Sequence, residues 1–84
     1  IYAKVADCME KGLLPTSDQV QRLIKKHHTF TEQFNHATKK VYVALAQLYE
    51  EHPEFRKQLD PIHPELASFI AQAMKAFAQQ ELTT

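Results

Sequence analysis

Residues His27–Tyr49, HHTFTEQFNHATKKVYVALAQLY, decide how this chain is read. Phe30, Phe34, Val41, Leu45 and Leu48 recur there at helical spacings, while His27, Tyr42 and Tyr49 carry polar atoms on bodies that can be buried. Asn35 and His36 interrupt the pattern, and Thr38 is a natural cap for a new helix. The stretch therefore reads as two antiparallel helices flanking a cleft, a surface suited to binding more than to bond-making.

Working outward, Val20, Leu23 and Ile24 extend the first of these helices back to Asp18, and Pro15 fixes its entry. Thr16 or Ser17 can cap it, with Gln19 completing a capping box from Thr16. Gln21, Arg22, Lys25, Lys26 and Glu32 take its opposite, polar face, and His28 falls towards that side. Upstream, Ile1, Val5, Cys8 and Met9 mark a helix ending near Lys11, where Gly12 supplies a left-handed cap.

Downstream, the stripe of the next helix comprises Val41, Ala44, Leu45, Leu48 and Tyr49, flanked by Tyr42. His52-Pro53-Glu54 and His63-Pro64-Glu65 use one helix-start device twice. The first opens a short helix bearing Phe55 and Leu59. The second opens a last helix carrying Leu66, Phe69, Ile70, Ala73, Met74 and Phe77 to about Gln80, after which Thr83 and Thr84 should fray. No segment alternates with period two, so the expected fold is an all-α bundle of four to five helices, one domain over 1–84.

A chain of 84 residues buries about 60–65% of its unfolded surface, which leaves little room for a deep enclosed active site. Ten Lys and Arg balance ten Asp and Glu, an argument against this segment itself gripping nucleic acid. Cys8 is alone and can form no internal disulfide, so a reducing cytoplasm is the expected compartment. No apolar run is long enough to span a bilayer, and the start at Ile1 reads as that of an excised piece.

Five histidines raise the question of a metal, but His27 and His28 point about 100° apart on a helix and cannot share one as an i, i+4 pair does. No triad, carboxylate dyad or phosphate loop is present either, so neither metal, cofactor nor enzymatic activity is expected. His27 is either a core-edge histidine satisfied by a carbonyl or a tyrosine hydroxyl, or a polar contact in a cleft. Tyr42 and Tyr49 either bond within the fold or face a wet cleft. The cleft candidates are His27, Phe30, Phe34, Tyr42, Leu45, Tyr49, Phe69 and Met74. The five apolar ones would supply contact area, the His and tyrosines would orient polar groups of a ligand, and the last helix would close the far side through Phe69 and Met74.

The ordered features are Met9-x-x-Gly12, Pro15-x-Ser17, His27-His28-x-Phe30-x-x-x-Phe34, Tyr42-x-x-Leu45-x-x-Leu48-Tyr49, Pro53-x-Phe55 and Pro64-x-Leu66-Ala67-x-Phe69-Ile70. This series, running from about Val5 to Phe77, resembles the TipAS antibiotic-recognition family. The resemblance implies a globin-like helical domain without haem that binds multi-ring or peptide-like small molecules. It implies attachment behind a MerR-type DNA-binding domain and dimerising coiled coil, so that DNA is met only through that absent part and the full-length protein is a homodimeric activator. Stand-alone relatives sequester drug. Two departures stand out. Pro64-Glu65-Leu66 replaces the usual Pro-Gly-Leu, which implies a more regularly helical loop there. Ala37 and Ala44 occupy the region where some relatives hold ligand through a cysteine, so non-covalent binding is expected. The alternative is a structural helical module that meets a second copy or another protein.

Overall fold

The computed structural model describes residues 1–34 and 36–82. The pattern break expected at Asn35 and the fraying expected at Thr83 and Thr84 lie outside the described residues. Five helices follow one another: α1 (Tyr2–Glu10), α2 (Asp18–Glu32), α3 (Lys39–Glu51), α4 (Pro53–Leu59) and α5 (Leu66–Glu81). The fold is all-α, as the sequence predicts.

Local chemistry sets most of the boundaries. Gly12 has φ +78°, and the Gly12 and Leu13 N–H groups donate to the Met9 and Cys8 carbonyls at 2.9 and 3.0 Å. This double closure of the α1 end needs a left-handed residue, which glycine adopts without steric cost. Ser17 and Thr38 cap α2 and α3 by accepting the N–H of Val20 and Val41. Ser17 takes this role alone, and the box from Thr16 to Gln19 does not form, because the helix begins one residue later than that box requires.

The two His-Pro-Glu segments share a contact and differ in outcome. In each, the histidine Nδ1 accepts the glutamate N–H, at 3.2 Å in His52–Glu54 and 3.0 Å in His63–Glu65. After His52 the chain enters α4 directly with Pro53 in its first turn. After His63 it makes a turn through Pro64 and Glu65, and α5 begins only at Leu66. The Pro-Glu-Leu departure thus does not make this loop regularly helical.

α5 is the spine of the core. It packs most extensively on α3 and touches α1, α2 and α4 as well. Leu66, Ile70, Met74 and Phe77 supply bulk, while Ala67, Ala71, Ala73 and Ala78 let neighbouring backbones approach closely. Ala46 does the same on α3. The radius of gyration, 11.8 Å, is that of a well-packed chain of this length.

Two helices present other faces than the sequence predicts. The core stripe of α3 is Tyr42, Ala46 and Tyr49, and Val41, Ala44 and Leu48 are exposed. Hydropathy ranks Val41 and Leu48 above a tyrosine; what reverses the order is a buried partner for the Tyr42 hydroxyl, described below. On α2, His28 does not sit on the polar side. Its ring lies against Tyr42 and Phe77 at centroid distances of 4.8 and 5.2 Å, and its Nε2 donates to the Ala37 carbonyl at 2.8 Å. Gln21 also turns inward, donating through Nε2 to the Pro15 and Ala73 carbonyls and so tying the α1–α2 connection to α5.

A Cβ added at Gly12 would meet no atom within 4 Å. Gly12→Ala should therefore cost only the conformational penalty of a left-handed alanine, about 1 kcal/mol. Urea denaturation should show a lower midpoint at unchanged slope.

Candidate functional site

The carboxyl-terminal half of α2 begins with His27, whose ring is buried, 6% exposed, between α2 and α3. Both ring nitrogens are engaged: Nδ1 lies 2.8 Å from the Tyr42 hydroxyl and Nε2 3.0 Å from that of Tyr49. Tyr42 and Tyr49 stand seven residues apart, two turns of α3, so their hydroxyls bracket the imidazole. The Tyr49 hydroxyl is 2.9 Å from that of Tyr2 in the first turn of α1, and the Tyr42 hydroxyl reaches the Ile24 carbonyl at 3.5 Å. Four polar side chains from three helices thus form one continuous hydrogen-bonded chain.

Burial has two electrostatic effects here. Loss of water, assisted by the neighbouring His28, lowers the His27 pKa from 6.5 to about 4, so the ring is neutral at physiological pH. Burial likewise pushes the Tyr42 and Tyr49 phenols above their ordinary range, with the hydrogen bond to Tyr2 adding to the effect at Tyr49. None of these groups carries charge at neutral pH, so the chain is a polar network without an ion.

Above it opens a cavity of about 520 Å³. Tyr2, His27 and Tyr49 form its polar floor, with the Thr31 hydroxyl beside them donating to the His27 carbonyl at 2.9 Å. Ile1, Phe30, Phe34 and Leu45 form the apolar wall. Phe30 and Phe34 are 60% and 69% exposed and meet edge to face at 5.1 Å between centroids, a pair of rings held at the rim. Behind the floor Phe55 of α4 stacks on Tyr49 at 4.7 Å.

Five of the eight candidates, His27, Phe30, Phe34, Leu45 and Tyr49, are brought together around this cavity. Tyr42 is not on its lining; it is fully buried and holds His27 from behind. Met74 is fully buried in the core, and Phe69 lines a separate depression with Met9, Arg56 and Pro64. The cavity is closed not by α5, whose apolar face is consumed by the other helices, but by Ile1 and Tyr2 at the start of α1. Tyr2 was legible as a site residue only through its spacing from Val5 and Ala6, which puts it on the buried side of α1; Thr31 was legible as i+4 from His27.

No cysteine stands among the lining residues; Cys8 is buried within α1. Among the described residues no three His, Cys, Asp or Glu side chains gather, and no helix is long and apolar enough to cross a membrane.

Comparison with known proteins bears on what this cavity serves. A family model of the TipAS antibiotic-recognition domain matches residues 1–77. The HTH-type transcriptional regulator SkgA of Caulobacter vibrioides, in strains NA1000 and ATCC 19089, is 27% identical over 77 residues, covering 89% of this chain. The chain spans about 30% of the length of these curated relatives. No solved structure matches.

The buried imidazole predicts an acid sensitivity. An unfolded chain takes up a proton on His27 near pH 6.5, the folded one only near 4. Between those values the unfolded state binds more protons, so this contribution to stability is complete above pH 6.5 and is lost as pH falls towards 4. The slope can reach about 1.4 kcal/mol per pH unit. Urea melts across that range should show it, and the difference between the wild type and His27→Gln should isolate it.

Proposed function

Because this chain belongs to the TipAS antibiotic-recognition domain family, we propose that it is the ligand-sensing domain of a MerR-family transcriptional activator. It takes multi-ring or peptide-like small molecules non-covalently into the cavity between α1, α2 and α3. The observation that carries this reading is the cavity itself, with a neutral tyrosine–histidine floor beneath a wall of exposed phenylalanines. Its volume falls within the range of small-molecule sites, and its few polar groups converge at one end, as orientation of a mostly apolar ligand requires.

The regulatory assignment draws support from the regulator named among the relatives, of which this chain spans only part. DNA contact and homodimerisation then belong to the remainder of such a protein, consistent with the zero net charge of this segment. Ligand binding acts by stabilising one arrangement of the domain, with a strength set by how differently it binds the two states.

A second reading has its own observation. Phe30 and Phe34, with Val41 and Leu48 outward on α3, leave several large apolar side chains in water, as an assembly surface would. Amide NMR separates the two readings. Under the sensing reading, ring-rich antibiotics shift resonances between His27 and Tyr49 and around Tyr2; under the assembly reading, shifts follow protein concentration without ligand.

Phe30→Ala and Phe34→Ala should each weaken binding of a responding antibiotic roughly tenfold by calorimetry, with melting temperature almost unchanged because both rings are exposed. Met74→Ala, at a fully buried position, should do the reverse: a loss of about 2–5 kcal/mol of stability.

A further inference from the structure

The chain Tyr2–Tyr49–His27–Tyr42 can be written with its hydrogen bonds running in either direction. In one, Tyr2 donates to Tyr49, Tyr49 donates to His27 Nε2, His27 Nδ1–H donates to Tyr42, and Tyr42 donates to the Ile24 carbonyl. In the other, Tyr42 donates to Nδ1, Nε2–H donates to Tyr49, Tyr49 donates to Tyr2, and the Tyr2 proton is left free. Both bond each ring nitrogen and give each hydroxyl at least one partner, since a neutral imidazole has one donor and one acceptor and a phenol is both; the second leaves only the Tyr2 proton unused. They differ inside the protein only by the Tyr42–Ile24 contact, which at 3.5 Å is long for a hydroxyl bond. The two directions are therefore close in energy, and the deciding bond can come from outside.

The outside contact is at Tyr2, which lines the cavity and, among the described residues, has Tyr49 as its hydrogen-bond partner. We propose that this chain is a reversible hydrogen-bond relay through which the cavity accepts heteroaromatic ligands carrying either a hydrogen-bond donor or an acceptor, with the His27 tautomer set by which one is bound. An acceptor on the ligand takes the Tyr2 proton and places the imidazole proton on Nε2. A donor on the ligand bonds the Tyr2 oxygen and places it on Nδ1. The exchange takes a proton from one ring nitrogen and returns one to the other while the hydroxyls rotate, so no net proton is gained or lost. The low basicity of His27 keeps the ring neutral throughout. The inference rests on the cavity being the ligand site, and it adds a physical basis for accepting ligands of opposite polarity at one position.

The test uses the whole chain, ¹⁵N-labelled, at neutral pH, with quinoline as the acceptor probe and indole as the donor probe. Long-range ¹H–¹⁵N correlation of the imidazole reads the tautomer directly. Quinoline should enrich the Nε2–H form and indole the Nδ1–H form. Tyr2→Phe should abolish that difference and weaken both probes roughly two- to tenfold, the value of one neutral hydrogen bond. If both probes bind and His27 keeps one tautomer, the relay is overturned while the binding site stands. If the difference persists in Tyr2→Phe, the assignment of Tyr2 as the contact is overturned. If neither probe, at millimolar concentration, perturbs the cavity residues, the site and the relay fall together.

Discussion

The arrangement of α1, α2 and α3 depends on one imidazole held between two phenols. A histidine removed from water without partners would cost several kcal/mol, and the neutral form escapes most of that only if both nitrogens are bonded. Tyr42 and Tyr49, two turns apart on α3, meet that demand for His27. In doing so they fix the rotation of α3 about its axis and its register against α2. Tyr2 extends the same bonding to α1, so the three helices around the cavity are joined by polar contacts with directional requirements, which apolar packing alone would not supply.

That polar demand accounts for where sequence reasoning succeeds and where it stops. Helix existence was legible, because Gly12, Ser17, Thr38 and Pro53 each carry a local signal whose partner lies within a few residues. His27 was legible as a polar residue on an apolar seam, with a tyrosine hydroxyl among its possible partners. The rotation of α3 was not, since it hangs on a contact between residues fifteen apart in sequence that hydropathy does not weigh. His28 was misplaced for the same reason: its ring is held by Tyr42, Phe77 and the Ala37 carbonyl, none of which its own helix reveals. The candidates Phe69 and Met74 follow the correct periodicity, yet periodicity says only that a face is covered. It does not say by what.

α3 consequently has two apolar faces with different duties. Tyr42, Ala46 and Tyr49 face the core, whereas Leu45 lines the cavity and Val41 and Leu48 remain in water on adjoining turns. A helix with a single amphipathic stripe would have to choose between packing and binding. Here the spare face leaves apolar surface available beside the cavity without drawing on the core, and Phe30 and Phe34 continue it from α2.

The position of α5 in the chain has a consequence for how the protein is made. It is the last of the five helices in sequence, and it packs on each of the other four. Before α5 has been made, α1 can pair with α2 and α3 with α4, but the faces of all four that pack on α5 are still wet. The core is complete only when the alanine-lined spine is in place. Until α5 joins them these four helices are partly paired and partly wet, the state on which chaperones and proteases act.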